Sequence, residues 1–250
     1  MSTSRSNKGL AKPLTAILVF LFWISIWWLA ALIVGDEYFL PSPIDTLLSL
    51  IGLFGQKSFY KVVFLSLVRV LSGLIFGTAV GMILAFACHR FKAIRSLVSP
   101  IISILKAMPV ATFILLLWIT LRGSALTIFI GFIMVMPIIF QNTIAGLDSI
   151  DKDLIEVTKV FGFGFIKKLK LLILPSLKSY IFPAVITSVG LAFKSQIAAE
   201  IIAYTKNSIG QYIYDANYSL NTGLVFAWAV VIVSFSIGLE NICRYLLRRV

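Results

Sequence analysis

The sequence predicts an all-α membrane protein with six transmembrane helices, and three observations predict it. Of the 250 residues, 60% are hydrophobic and only 13% are charged, a balance too apolar for a soluble domain. The apolar residues gather into runs long enough to cross a bilayer, near 14–34, 62–88, 100–121, 125–147, 181–204 and 222–243. Lysines and arginines crowd into alternate connecting segments. The net charge of +12 does not point to nucleic acid, because the basic residues are scattered between apolar runs with no basic domain or aromatic-basic platform. Lipid headgroups and topology account for it better.

Residues 1–13 read as a polar tail with Arg5, Lys8 and Lys12, and residues 14–250 as one transmembrane domain. A basic start before an apolar run can be a signal peptide, but Leu14 to Val34 is too long for a signal core and lacks a convincing small-residue cleavage site, so it is read as span one. Next, Ser42 suits an N-cap and Pro43 a first helical residue, and Ile44, Leu47, Leu48 and Ile51 mark a short amphipathic helix. In span two, Arg69, Gly73, Gly77 and Gly81 recur every four residues, a spacing of small residues that lets another helix approach closely and turns Arg69 toward protein. A short basic loop, His89 to Val98, leads to span three, which holds Lys106 and Pro109. Arg122-Gly123 makes a tight turn into span four, with Pro137, Gln141 and Asn142 in its second half. Span five holds Lys194, Ser195, Gln196 and Glu200, and span six ends in a tail with Arg244, Arg248 and Arg249.

Fifteen of the 22 lysines and arginines fall in the two tails and in the 89–98 and 148–180 segments, four fall on the other side, and Arg69, Lys106 and Lys194 lie within spans. The excess predicts that both termini are cytoplasmic, in a multi-pass membrane protein. Cys88 and Cys243 fall near the cytoplasmic ends of spans, so no disulfide is expected. Two cysteines and one histidine, His89, offer no zinc spacing, and no metal site or catalytic residue is assigned.

The longest polar interruption is 148–180. Asp151 or Asp153 could cap a helix there, with acidic charge at its positive end. Leu154, Ile155, Thr158 and Phe161 recur at helical spacing. Gly162, followed by Gly164, ends that helix, because glycine admits the left-handed turn. Phe165, Ile166, Leu169 and Leu172 form a second stripe, and Pro175 should interrupt the backbone ladder before span five. Taken alone, this is two short helices at a glycine elbow, which could simply lie on lipid headgroups. Asp148, Asp151 and Asp153 loosely suggest the metal-binding aspartates of lipid prenyltransferases, but such enzymes need a second aspartate-rich motif and none is present.

The segment resembles the cytoplasmic coupling loop of bacterial ATP-binding-cassette importer permeases, with pattern E-A-A-x-x-x-G, nine residues, then I-x-L-P. Glu156 stands at its first position, Gly162 six residues later, and Leu174-Pro175 at the end; Leu172 stands for the isoleucine, and Val157 and Thr158 for the two alanines. Within that family the chain is most similar to the nitrate, sulfonate, taurine and bicarbonate type. The supporting segments are Leu40-Pro41-Ser42-Pro43, Ser66 with Arg69 and Gly73, the prolines 100, 109 and 137, Asn142-Thr143, Gly190-Leu191-Ala192-Phe193 leading to Ala199-Glu200, and Ile209-Gly210. Phe193 stands where the family usually has tryptophan.

The resemblance implies the type I importer permease fold, a second permease copy in a homodimer, two cytoplasmic ATP-binding subunits and an extracytoplasmic solute-binding protein. No G-x-x-x-x-G-K-[ST] loop occurs, so no cofactor is expected on this chain and ATP would be bound by a partner. An ion-driven carrier acting alone would also explain the spans and buried charges, but has no use for the 148–180 segment.

Charges within spans should face protein or a water-filled path. Arg69 lies roughly 10 Å into span two and Glu200 roughly 6 Å into span five from the same side, close enough to pair, so that a double charge exchange should partly preserve the pair. Lys194, six residues before Glu200, lies about 120° around the helix. With Gln196 beside it in sequence, it is the candidate for the solute path, where its charge would favour an anion; snorkelling toward headgroups is the alternative.

Overall fold

The computed structural model describes residues 8–249; the first seven residues of the expected N-terminal tail, and Val250, lie outside the described residues. Regular structure among the described residues is helical throughout: α1 (Lys8–Val34), α2 (Pro43–Phe54), α3 (Lys57–Arg90), α4 (Lys92–Ala107), α5 (Val110–Trp118), α6 (Ser124–Asp148), α7 (Lys152–Val160), α8 (Phe165–Lys168), a π-helical turn at Leu169–Ile173, α9 (Leu174–Ile202), α10 (Ile209–Tyr218) and α11 (Thr222–Arg249). Five of the described helical stretches are long and apolar enough to cross a membrane: Thr15–Val34, Lys57–Arg90, Ser124–Asp148, Ile166–Ile202 and Thr222–Leu247. The sixth candidate crossing is α4 and α5 together, bent by 102° at their junction.

The bend falls inside the third span expected over 100–121, at its Pro109. The helix starts at Lys92 and stops at Ala107, because Pro109 forces Met108 out of the helical region, to φ −77° and ψ 132°. Pro100, Pro137 and Pro183 are by contrast carried inside helices.

One correction concerns Pro175. It occupies the first turn of α9, where a missing N–H is harmless, and the preceding π turn passes the chain on without a break. Ile166–Ile202 is therefore one helical stretch of 37 residues, and the second half of the expected polar loop runs into the fifth candidate crossing without a helix break.

The chain forms two units. One comprises residues up to Phe59 together with Asp215–Val230. Here Ser42 and Asp45 close a capping box at the start of α2, with Pro43 in its first turn. The stripe Ile44, Leu47, Leu48, Ile51 faces outward, while Thr46 and Leu53 are buried. Trp27 donates from Nε1 to the Pro41 carbonyl at 3.1 Å and stacks on Phe226, and Phe59 packs on the fully buried Trp228.

The other unit comprises Tyr60–Tyr214 and Val231–Val250, and α6 is its centre. One apolar cluster joins α3, α6 and α9 through Val70, Val135, Ile139 and Phe193. A second joins α5, α6 and α9 through Ile114, Ile130 and Ala199, and a third joins α3, α4 and α6 through Ala85, Ile102 and Phe140. The glycine stripe of α3 lies against α6, as its spacing predicts. A Cβ on Gly77 would stand 2.7 Å from Val135 Cβ, and one on Gly81 2.8 Å from the Met136 carbonyl oxygen.

Candidate functional site

Two places in the larger unit gather the residues singled out in the sequence. The first is a buried polar network where α3, α6, α9 and α10 meet. Arg69 Nη1 lies 3.1 Å from Glu200 Oε1, and the two residues are 7% and 1% exposed. Charges so deeply buried need further partners. Ser66 Oγ donates to Glu200 at 2.9 Å and accepts from the Ile209 N–H at 3.0 Å, and the Gly210 N–H donates to Glu200 Oε2 at 3.2 Å. Arg69 also donates from Nε to Ser124 Oγ at 2.9 Å, and to the carbonyls of Lys206 and Asn207 at 3.3 and 3.2 Å. The loop between α9 and α10 is thereby tied to α3 and α6.

That loop is strained. Tyr204 and Asn207 adopt positive φ, 47° and 52°, an unfavourable region for tyrosine in particular. Gly210 sits so close to Glu200 that an added Cβ would stand 2.6 Å from the Glu200 carbonyl carbon. Glycine at 210 thus has a packing reason beyond its place in a polar loop.

The second place is the elbow after α6. Asp151 is the N-cap of α7 and accepts from the Asp153 N–H at 2.9 Å. Gly162 has φ +63°, the Phe163 N–H reaches back to the Thr158 carbonyl at 2.9 Å, and the Gly162 N–H reaches the Lys159 carbonyl at 3.0 Å. This is a Schellman ending with glycine at the left-handed position. Thr158 is buried and donates to the Ile155 carbonyl. Leu154, Val157, Val160 and Phe161 are exposed, and so is Glu156. The stripe read from helical spacing is therefore split: Thr158 turns in, and Leu154 and Phe161 turn out. Leu174 and Pro175, also exposed, open α9.

A family model described as "Binding-protein-dependent transport system inner membrane component" matches residues 77–250, more than half of the chain. The chain belongs to this family. It is similar to the taurine transport system permease protein of Escherichia coli (strain K12), 24% identical over 234 residues covering 90% of this chain and 84% of the relative. It is also similar to the nitrate import permease protein of Synechococcus elongatus, 25% identical over 243 residues covering 92% of this chain and 86% of the relative. Among solved structures, a bacterial ABC transporter involved in the import of the acidic polysaccharide alginate superposes with a TM-score of 0.67 at 16% identity, covering 94% of each chain. The fold is that of type I importer permeases. The protein is accordingly a multi-pass inner-membrane permease subunit of an ABC importer, a transport component and not an enzyme, working with ATP-binding and solute-binding partners.

Within the permease, two residues linked by their closeness in sequence are separated in space. Lys194 is exposed on α9, whereas Gln196 is fully buried and fills the room left by Gly73 and Gly131, donating to the Val70 carbonyl at 3.3 Å. Two residues along a helix is about 200° of rotation, so they cannot share a face. Gln196 packs in the α3–α6–α9 contact, on the opposite side of α9 from Lys194.

Sequence reasoning missed three groups. Ser124 and the carbonyls of 206 and 207 hold Arg69, and nothing in local sequence marks them. Asp148, which stands in sequence beside two aspartates suited to capping, instead meets Arg95 Nη2 at 3.1 Å and His89 Nδ1 at 3.2 Å. Lys106 donates to Gln141 Oε1 at 2.6 Å. A signal for Lys106 is present in the sequence: it continues a polar stripe begun by Arg95.

Proposed function

We propose that two copies of this permease form the path for a small anionic solute delivered by an extracytoplasmic binding protein. Two ATP-binding subunits dock on the α7 elbow, and they bind and hydrolyse the ATP. The observation that carries this reading is the elbow itself: a capped helix ended by a left-handed glycine, presenting Leu154, Val157, Val160 and Phe161 with Glu156 beside them. Exposed apolar side chains rimmed by charge are what a protein partner covers. Glu156 makes no ion pair or hydrogen bond among the described residues, so it is available to that partner. Closure of the ATP-binding pair would then swing the permease between its two openings, a rigid-body switch about the docked interface. The anionic solute is supported by the relatives named for taurine, which bears a sulfonate, and for nitrate, and by Lys194 on the open face of α9.

The test is uptake of labelled taurine, methanesulfonate and nitrate by cells that express the permease with ATP-binding and solute-binding subunits from the same organism. Uptake should require both partners. Glu156→Lys should leave the permease in the membrane but lower uptake by about tenfold or more, as expected for a charge reversed at an interface. Uptake without any ATP-binding subunit would favour a solitary ion-driven carrier and overturn the proposal.

A further inference from the structure

The helix α4 has two faces of opposite character, exposed except at the half-buried Ser99. Leu97, Ile101 and Ile104 form one, all well exposed. Arg95, Ser99, Ser103 and Lys106 form the other, within an arc of about 80° on the far side of the helix. Lipid can cover the apolar face. It cannot cover Lys106, eleven residues beyond Arg95 on the polar one, because charged groups at membrane depth face protein or water.

The polar face of α4 meets Gln141 and Asp148 of α6, seven residues apart and hence on one side of that helix. Arg95, Ser99 and Ser103 with Gln141 and Asp148 border a groove of about 370 Å3, room enough for a small solute, and Lys106 stands at its Gln141 end. The charges in and beside it are unevenly satisfied. Arg95 pairs with Asp148 at 3.1 Å. Lys106 has only the neutral Gln141 oxygen, at 2.6 Å, and no carboxylate within ion-pair distance among the described residues. Lys106 also stands in the last turn before the non-helical junction at Met108. Irregular backbone at membrane depth is tolerated where it is buried in protein or lines a water-filled cavity. A lysine without a counter-charge and a break in the helix stand at one end of the groove, beside its Gln141 amide, and two serines line the approach.

We propose that this groove is an anion-binding station on the solute path, with Lys106 as its charge-selecting residue and Gln141 holding the ammonium in place. The anion is small and monovalent, a sulfonate, carboxylate or nitrate-like oxyanion. The inference rests on the importer reading above, and it adds a station on α4 and α6 to the exposed Lys194 of α9.

The experiment reads water access and local potential without requiring the natural solute. In the full permease, assembled with its partners in membranes, Cys88 and Cys243 are replaced by alanine, and single cysteines are placed at Ser103 and, as a lipid-facing control, at Ile104. Each is treated with an anionic and a cationic methanethiosulfonate reagent. Ser103→Cys should react and Ile104→Cys should not. The anionic reagent should be favoured at Ser103→Cys, and adding Lys106→Met should lower the anionic-to-cationic rate ratio by roughly tenfold, since a focused charge raises the local concentration of its counter-ion by such factors. Lys106→Arg should keep the ratio. Methanesulfonate should slow the anionic reagent at Ser103→Cys while Lys106 is in place, and should not slow it once Lys106→Met is added. An unreactive Ser103→Cys, equal reactivity at Ile104→Cys, a ratio unmoved by Lys106→Met, or no protection by methanesulfonate overturns the proposal. Partner-dependent uptake by the unsubstituted permease, measured in parallel, tests the importer reading separately, so the two can fail independently.

Discussion

At the scale of single residues, the Arg69–Glu200 pair is held in one orientation. A simple attraction between opposite charges would survive exchange, and arithmetic on span depths suggests as much. The neighbours say otherwise. The carboxylate at 200 accepts from Ser66 and the Gly210 N–H, while the guanidinium at 69 donates to the carbonyls of 206 and 207 and to Ser124. A carboxylate at 69 would face carbonyl oxygens, and a guanidinium at 200 would face an N–H. Removing one partner of a buried pair strands the other and costs about 3–5 kcal/mol. Arg69→Met and Glu200→Gln should therefore each lower the unfolding midpoint of the purified permease and abolish most uptake. The double exchange Arg69→Glu with Glu200→Arg should not restore it. Recovery of uptake by the exchange would mean that the loop carbonyls and Gly210 contribute little.

At the scale of elements, α6 organises the larger unit because small residues let its neighbours reach its backbone. Gly77 and Gly81 bring α3 onto α6, and Gly131 leaves a space that Gln196 of α9 fills. Gly77→Leu should therefore be destabilising, by about 1–3 kcal/mol for forced overpacking. Gly52 is the contrast: a Cβ there meets nothing within 4 Å, and it lies inside α2. Gly52→Ala should be neutral or stabilising by about 0.5–1 kcal/mol, since alanine restricts the unfolded chain and favours helix. Unfolding midpoints in detergent distinguish the two; equal effects would remove the packing argument.

The same elements show what the sequence can reveal. The stripe Gly73, Gly77, Gly81 and the depth match of Arg69 with Glu200 are legible because helical periodicity fixes face and height. The elbow is legible because glycine has one strong reason to follow a capped helix, a left-handed backbone, and Gly162 adopts it. Gln196 and Lys194 are close in sequence but do not share a face, because neighbours two apart on a helix point in nearly opposite directions. The break at Met108 is hidden by an apolar run that continues through it, although the rule for residues before proline marks the spot. The partners of Asp148 come from residues 53 and 59 positions away, a distance at which local pattern carries no information.

At the scale of the whole permease, the bent α4–α5 pair must either carry the chain across the membrane or return it to the side it left. Three side chains decide it. His89 at the end of α3 and Arg95 at the start of α4 both meet Asp148 at the end of α6. Those three termini therefore lie on one side. The helix α6 crosses by itself, with 25 residues, so its start at Ser124 lies on the other side. Ser124 meets Arg69, which also binds the loop after α9, so that loop shares Ser124's side. The chain enters α4 on the Asp148 side and enters α6 on the Ser124 side, and the bent pair must make the crossing. The concentration of lysine and arginine around 89–98 and 148–180 predicts that the Asp148 side is cytoplasmic. Single cysteines at Lys92 and Lys167 should then be labelled by an impermeant reagent only from the cytoplasm, and those at Arg122 and Lys206 only from outside. Labelling of the Lys92 and Arg122 positions from the same side would make α4–α5 a re-entrant loop and would break the six-crossing architecture at that point.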